Sequence, residues 1–142
     1  MRIRTAIPAD AEPVAALLAE LGYPSAPDAI AARLAGMAAD SASCALVAEE
    51  GVELLGLASL TVMPLLHEDG GWARISALVV AEERRRGGLG RALVAAAEDA
   101  ARARGGRWVE VTSGDRPDRE AAHRFYTALG YEQVSRRFRK AL

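Results

Sequence analysis

Three consecutive arginines followed by glycines, at residues 84–90, are the residue types in this chain best suited to binding a charged ligand. The apolar run Leu78-Val79-Val80 precedes them and an alanine-rich stretch follows, which predicts a strand, a turn and a helix in that order. The first N–H groups of a helix have no partner inside the helix and carry partial positive charge, so they bind anions. Gly88 and Gly90 have no Cβ, so a phosphate can approach the backbone closely. This segment therefore predicts a pyrophosphate site.

The spacing of these residues excludes two common phosphate-binding motifs. No Gly-Lys-Ser/Thr follows the glycines, as a P-loop requires, and the last position of a dinucleotide fingerprint is occupied by Leu93. The spacing Arg85-x-x-Gly88-x-Gly90 between a strand and a helix resembles the acetyl-CoA loop of the GNAT superfamily of N-acetyltransferases. A surface turn that carries arginines is the alternative interpretation. The resemblance implies that acetyl-CoA contacts Leu78, Val79, Val80, Arg85, Arg86, Gly87, Gly88, Leu89, Gly90 and Arg91.

A second resemblance to the same family lies downstream, at residues 121–131. These residues are similar to the family's fourth motif, Ala-x-x-Phe/Leu-Tyr-x-x-x-Gly-Phe/Tyr, with Tyr126 at the tyrosine position and Gly130 at the glycine position. The two motifs occur in the expected order, and the resemblance covers essentially the whole chain. The run from His123 to Leu142 is especially similar to the aminoalkylphosphonate N-acetyltransferase branch. The resemblance implies an enzyme that moves an acetyl group from acetyl-CoA to a primary amine of a small molecule.

Acetyl transfer from a thioester requires a neutral amine, a hydrogen-bond donor for the carbonyl oxygen and an acid for the departing thiolate. The resemblance assigns the acid to Tyr126. A phenol with a pKa near 10 stays protonated at neutral pH and can donate that proton. Tyr126 also lies on one helical face with Ala122, Phe125 and Leu129, so packing in a core is the alternative interpretation.

Three positions depart from the family pattern. Arg119 stands where the fourth motif usually has an asparagine, seven residues before the tyrosine. Arg74 and Ala77 stand where the phosphonate branch has glutamates on the strand before the loop, so neither that branch's substrate nor its metal dependence is predicted here. The general base therefore remains open, and the candidates are His67, Glu68, Asp69, Glu110 and His123.

The apolar periodicity predicts an α+β fold with the element order β-α-α-β-β-β-α-β-α-β-β, which resembles the GNAT acyl-CoA N-acyltransferase topology. The resemblance implies a central mixed, mostly antiparallel sheet flanked by helices, with a splayed strand pair that admits the cofactor's pantetheine arm. A capping box at Ser25-x-x-Asp28 is predicted to start the second helix. The other predicted elements are an edge strand at 2–7, a helix through Val14 and Leu21, strands at 43–49, 53–63, 72–80 and 108–112, helices at 89–104 and 118–129, and a terminal hairpin.

Length and composition predict one N-acetyltransferase domain over residues 1–142, because 51% apolar content can fill a single core. The net charge of −1 gives no indication of nucleic-acid or membrane binding, and no apolar stretch is long enough to span a bilayer. The start of the chain lacks a secretory signal, and Cys44 is the only cysteine, which favours a reducing cytoplasm.

The sequence therefore predicts a cytoplasmic acetyl-CoA-dependent N-acetyltransferase in which the amine attacks the thioester directly. No metal site is predicted, although His67, Glu68 and Asp69 carry potential ligand atoms. A non-catalytic acyl-CoA-binding sensor or assembly module is the alternative, since no base is evident. A homodimer is compatible with the sequence but is not required by it.

Overall fold

One five-stranded sheet, in the order β1-β2-β3-β4-β5, organises the first part of the chain. The structure is a computed structural model and describes residues 1–113 and 117–142. Neighbouring strands from β1 to β4 run antiparallel, whereas β5 runs parallel to β4. The predicted mixed, mostly antiparallel sheet is therefore confirmed. The strands are β1 (Arg2–Thr5), β2 (Ser43–Glu50), β3 (Glu53–Pro64), β4 (Gly71–Val80) and β5 (Gly106–Val111).

Three helices cover the two faces of this sheet. The first two, α1 (Ala11–Glu20) and α2 (Pro27–Ala39), bury Val14 and Ile30 in one apolar cluster with residues of β2, β3 and β4. On the opposite face, α3 (Leu89–Ala103) buries Leu93 in a second cluster with Leu60 of β3. Both clusters follow from strands that alternate their side chains between two covered faces.

The chain divides into two compact units, Met1–Val111 and Thr112–Leu142. In the second unit a 3₁₀ turn at Pro117–Arg119 leads into α4 (Glu120–Ala128). The chain reverses after this helix at Gly130, which has a φ of 90°. The prediction of one domain over residues 1–142 stays a prediction. In the described part of the chain no helix combines the length and apolarity needed to cross a bilayer.

Three local predictions are wrong. The predicted terminal hairpin is absent, since no strand occurs at residues 131–142 and the apolar residue Phe138 in that segment is 91% exposed. Local residue types alone do not form a strand, because a strand needs a neighbouring strand to pair with. The capping box is absent too, because α2 has Ala26 at its N-cap with no side-chain cap and Pro27 in its first turn. The first strand ends at Thr5, and Pro8 starts a 3₁₀ turn instead.

A partly buried ion pair joins β1 to the start of α1. Arg4 donates from Nη1 and Nη2 to the two carboxylate oxygens of Asp10, at 2.7 and 2.9 Å, and its Nε donates to Glu49 on β2. Asp10 also accepts the N–H of Ile7 at 2.8 Å. The hydrogen bonds from Arg4 are the main cause of a lowered Asp10 pKa, and they outweigh the effect of burial, which raises it.

The variant Asp10→Asn is expected to lose about 1–3 kcal/mol of unfolding free energy at neutral pH, because Arg4 then loses one of its two carboxylate partners. A lowered pKa stabilises the fold above the unfolded value near 4, and this contribution is lost as the pH falls through the folded value. Urea unfolding across acid pH should therefore show the difference from wild type shrinking below about pH 4. The exposed acid in the first turn of α2 provides the control, Asp28→Asn. A difference that is the same at all pH values would contradict this account.

Candidate functional site

The edge of β4 that faces β5 is open along its second half. The β4–β5 pairing runs from Gly71 opposite Gly106 to Ile75 opposite Val111, but β4 continues to Val80 with partners only in β3 among the described residues. A bulge lies at the same point, since Ser59 of β3 pairs with Ala77 and the next pair is Leu60 with Ile75. The extra residue of this bulge is Ser76. A bulge increases local twist, which helps two neighbouring strands to diverge. The predicted splayed strand pair is therefore present.

The main-chain groups of Leu78 and Val80 point into this open edge. The N–H of Ala81 donates to Leu55 O of β3 at 2.9 Å. Since successive residues of a strand direct their N–H and C=O groups to opposite sides, those of Val80 and Leu78 face away from β3. Val79 faces β3 with its main chain, and its side chain is buried. Of the three strand residues predicted to contact the cofactor, Leu78 thus directs both main-chain groups to the open edge, and Val80 directs its N–H there, while Val80 O accepts a hydrogen bond from Arg85.

The loop after β4 ends at an uncapped helix N-terminus. Gly88 is the N-cap of α3 with a φ of 83°, and no side chain caps the helix there. The first hydrogen bond of the helix is from Ala92 N to Gly88 O. The N–H groups of Leu89, Gly90 and Arg91 therefore have no acceptor inside the helix. A left-handed residue followed by helical residues directs successive N–H groups into a concave anion site. A Cβ at Gly88 would meet nothing within 4 Å, so that concave surface is open.

The three arginines of the loop have different surroundings. Arg84 forms an ion pair with Glu50 at 3.0 Å. Arg85 donates from Nε to Val80 O at 3.0 Å and from Nη2 to Glu20 at 3.4 Å. Arg86 has no hydrogen bond or ion pair with a described residue. Arg91, in the first turn of α3, likewise has no such partner in residues 1–113 and 117–142. The guanidinium groups of Arg86 and Arg91 are therefore available to contact a ligand.

Arg86 also has an unusual backbone conformation. Among the described residues, it is the only one other than glycine with a positive φ, which is 66°. This left-handed region costs about 1–2 kcal/mol for a residue with a Cβ. Such strain persists where the surrounding structure requires it, and it is found most often at functional sites. The strain and the unpartnered charge occur in one residue, directly before the glycines of the loop.

The second unit places Tyr126 between two other aromatic rings. Its ring lies 5.2 Å from that of Phe125 and 5.9 Å from that of Tyr131, both edge to face. The left-handed conformation of Gly130 reverses the chain, and Tyr131 N then donates to Tyr126 O at 3.1 Å. The motif spacing thus has a structural reason, because the glycine brings the second tyrosine onto the first. Burial raises the pKa of Tyr126, against an opposing effect of the Arg119 charge, so the hydroxyl stays protonated at neutral pH.

The candidate bases differ in their contacts. Arg74 donates from Nε and Nη2 to Oε1 of Glu110, at 2.8 and 2.5 Å, which ties these two strand residues together. Glu68 accepts the indole N–H of Trp72 at 3.3 Å. His123 is in α4 and accepts a hydrogen bond from Thr127 Oγ1 through its carbonyl oxygen. Among residues 1–113 and 117–142, no three histidine, cysteine or acidic side chains are grouped to hold a metal ion.

Sequence reasoning missed three pairings near the open edge. These are Glu20 with the loop, Arg74 with Glu110, and the hydroxyls of Ser59 and Ser76, which lie 2.8 Å apart at the bulge. A sequence signal existed for the first, since Glu20 is an acid in the last turn of a helix, where cations are favoured. The other two depend on the register of neighbouring strands, which periodicity does not specify.

Comparisons with known proteins identify the family and the fold. A family model described as the Acetyltransferase (GNAT) family matches residues 11–131. Aminoalkylphosphonate N-acetyltransferase of Salmonella typhimurium is 38% identical over 90 residues, and this match covers 63% of the chain. The chain spans only 57% of the length of that curated relative.

Solved structures share the fold over nearly the whole chain. A protein of Agrobacterium tumefaciens str. C58 that is described as an acetyltransferase superimposes with a TM-score of 0.88 at 26% identity, covering 100% of both chains. The structure of AAC(6')-Iy, in complex with the bisubstrate analogue CoA-S-monomethyl-acetylneamine, has a TM-score of 0.82 at 19% identity, covering 99% of this chain and 98% of its own. At that identity the likeness concerns the fold alone.

Proposed function

Because the chain belongs to the GNAT acetyltransferase family, we propose that it transfers an acetyl group from acetyl-CoA to a primary amine of a small molecule. The observation that carries this proposal is the uncapped N-terminus of α3 beside the open edge of β4. The two features suit the two parts of this donor. Free N–H groups and unpaired arginines suit its phosphates, and an open strand edge suits the amide groups of its pantetheine arm.

In the proposed reaction, the main-chain groups of Leu78 and the N–H of Val80 orient the pantetheine arm, and the loop holds the phosphates. The amine nitrogen attacks the acetyl carbonyl carbon, and the C–N bond forms as the C–S bond breaks. The electron pair of that bond goes to sulfur, and Tyr126 donates its phenolic proton to the departing thiolate. The nitrogen loses one proton as the amide forms, and transfer of that proton through solvent water restores the phenol of Tyr126. The support for Tyr126 is its protonated state and its position in the family motif.

The proposed acceptor class is a small primary amine. The Salmonella relative is named for aminoalkylphosphonates, and Arg74 and Ala77 replace the glutamates of that branch. We therefore propose acetyl transfer to a small primary amine, but we do not propose an aminoalkylphosphonate as that amine. The single cysteine, Cys44, is buried, which supports a reducing cytoplasm as the place where the protein acts.

Two measurements test the proposal together. Calorimetry measures acetyl-CoA binding, and a free-thiol assay measures turnover with a panel of amines, including an aminoalkylphosphonate, an amino acid and an aminoglycoside. Binding with amine-dependent thiol release is expected. Binding without turnover on any amine would favour a non-catalytic acyl-CoA sensor, and no binding would reject the proposal.

The variant Arg86→Gly is expected to change affinity and stability in opposite directions. Glycine adopts a positive φ without a clash, so the variant should unfold at a temperature at least as high as wild type. Loss of the guanidinium should raise the acetyl-CoA dissociation constant about tenfold, as for a charge-assisted contact. Calorimetry and thermal unfolding without ligand measure the two effects.

The matched control for this prediction is Arg84→Ala, which removes a neighbouring arginine whose charge is paired with Glu50. Its affinity for acetyl-CoA should change much less. Repeating the titration with dephospho-CoA, which lacks the 3′-phosphate, shows whether Arg86 contacts that phosphate. If it does, wild type and Arg86→Gly should bind dephospho-CoA with similar affinity. An unchanged dissociation constant in Arg86→Gly would show that this arginine is only a strained surface residue.

A further inference from the structure

Glu20 is an acid at an electrostatically unfavourable position. It is the last residue of α1, where the helix dipole is negative and a cation would be favoured, and no basic residue lies in that turn. In contrast, Glu12 lies in the first turn of the same helix, where an acid is favoured. The carboxylate of Glu20 therefore does not serve its own helix, and the contacts that compensate it lie elsewhere.

Those contacts lie in the loop that follows β4. One carboxylate oxygen of Glu20 accepts the N–H of Glu82 at 3.1 Å, at the first residue of a 3₁₀ turn over Glu82–Arg84. The same oxygen pairs with Nη2 of Arg85 at 3.4 Å. Both contacts span more than sixty positions of sequence, so they join α1 to the loop directly.

Arg85 extends this connection to the open edge of β4. While Nη2 contacts Glu20, its Nε donates to Val80 O at 3.0 Å, on the side of β4 that faces away from β3. The side chain of Arg85 thus lies between the carboxylate and the last carbonyl of the strand. This arrangement fixes the point at which the strand ends and the loop begins.

From these contacts we propose that Glu20 is a positioning residue for the cofactor loop and acts through Arg85. By holding the N–H of Glu82 and the guanidinium of Arg85, Glu20 keeps the loop in the conformation that directs the N–H groups of α3 outward. Ordering a loop before the ligand arrives removes part of the entropy lost on binding. The inference rests on the proposed acetyl-CoA site, and it concerns a residue outside the motif that forms that site.

The test compares Glu20→Gln with wild type and with Glu12→Gln, a matched change in an exposed acid of the same helix. Glutamine keeps an oxygen that can accept the N–H of Glu82 but loses the charge that holds Arg85. Calorimetry should show the acetyl-CoA dissociation constant of Glu20→Gln raised about three- to tenfold, as for loss of one hydrogen bond, and that of Glu12→Gln unchanged. The KM for acetyl-CoA should rise in parallel, with a smaller change in kcat.

Thermal unfolding without ligand separates positioning from a general loss of stability. Removal of an acid from the negative end of α1 should leave the unfolding temperature of Glu20→Gln unchanged or higher. A role in stability alone would lower that temperature and leave the dissociation constant of the folded protein as it is in wild type.

A double-mutant cycle tests whether Glu20 acts through Arg85. If it does, Glu20→Gln should weaken binding in the wild-type background but add little to Arg85→Ala. Equal or tighter binding by Glu20→Gln would overturn the inference, as would full additivity with Arg85→Ala. Failure of the wild type itself to bind acetyl-CoA would reject the proposed function instead, so the two failures are distinguishable.

Discussion

Replacement of Gly90 by glutamate is expected to abolish acetyl-CoA binding while leaving the fold at least as stable as in wild type. Gly90 is the second residue of α3, in the turn whose N–H groups are proposed to hold the phosphates. A carboxylate there repels phosphate and occupies its space, so affinity should fall about 100-fold or more. The same carboxylate favours the helix, since glutamate has a higher helix propensity than glycine and complements the positive end of the dipole, together worth roughly 1 kcal/mol.

Calorimetry and thermal unfolding check the two halves of this expectation. The matched control is Gly90→Ala, which raises helix propensity and adds a Cβ without adding charge, and it should lose much less affinity than Gly90→Glu. The equivalent change at Gly88 would be less informative, because a φ of 83° strains any side chain at that position. Wild-type affinity in Gly90→Glu would mean that phosphate does not bind at this helix end.

Removal of the Tyr126 hydroxyl is expected to slow acetyl transfer by roughly 10²–10⁴-fold, the range for a lost general acid. Phenylalanine retains the ring that contacts Phe125 and Tyr131, so the second unit should keep its structure. Because burial raises the pKa of Tyr126, the proton is present throughout the neutral range. The activity that depends on this proton should persist as the pH rises and be lost only above the raised pKa.

A single-turnover measurement of acetyl transfer decides this question better than kcat, since slow product release can hide a change in the chemical step. The dissociation constant for acetyl-CoA should change little. The control is Tyr131→Phe, which removes the hydroxyl of the ring that contacts Tyr126 and should have a much smaller effect. If the transfer rate of Tyr126→Phe stays within about twofold of wild type, Tyr126 only packs, and the alternative interpretation of its helical face is correct.

The turns at Gly88 and Gly130 illustrate what local sequence determines. Gly88 and Gly130 both adopt left-handed conformations, one before a helix and one after a helix. Gly130 follows a rule that operates within a few residues, because the chain reversal after a helix favours a glycine in the left-handed region. Gly88 occupies the N-cap, where glycine is enriched only modestly. The strand, the loop and α3 were predictable from the residues themselves, as was the end of α4.

The terminal segment illustrates the opposite case. A terminal hairpin was predicted after α4, but residues 131–142 form no strand. Strand formation depends on a pairing partner that a local pattern does not contain. The predicted capping box at Ser25 was wrong for a related reason. Proline at position 27 determines the start of α2, and the helix begins without a side-chain cap.

The sequence by itself determined the parts of this protein that depend on residue type and near spacing. These are the apolar faces of the helices, the turn at Arg85-x-x-Gly88-x-Gly90 that is proposed to bind phosphate, and the helix and glycine of the motif around Tyr126. Tertiary structure alone decided the surroundings of each charge. Arg84 and Arg85 are paired with acids more than thirty positions away, whereas Arg86 remains without a partner among the described residues. Three adjacent arginines look equivalent in sequence, and they differ because the partners of a long side chain are set by which distant elements the fold brings within a few ångströms.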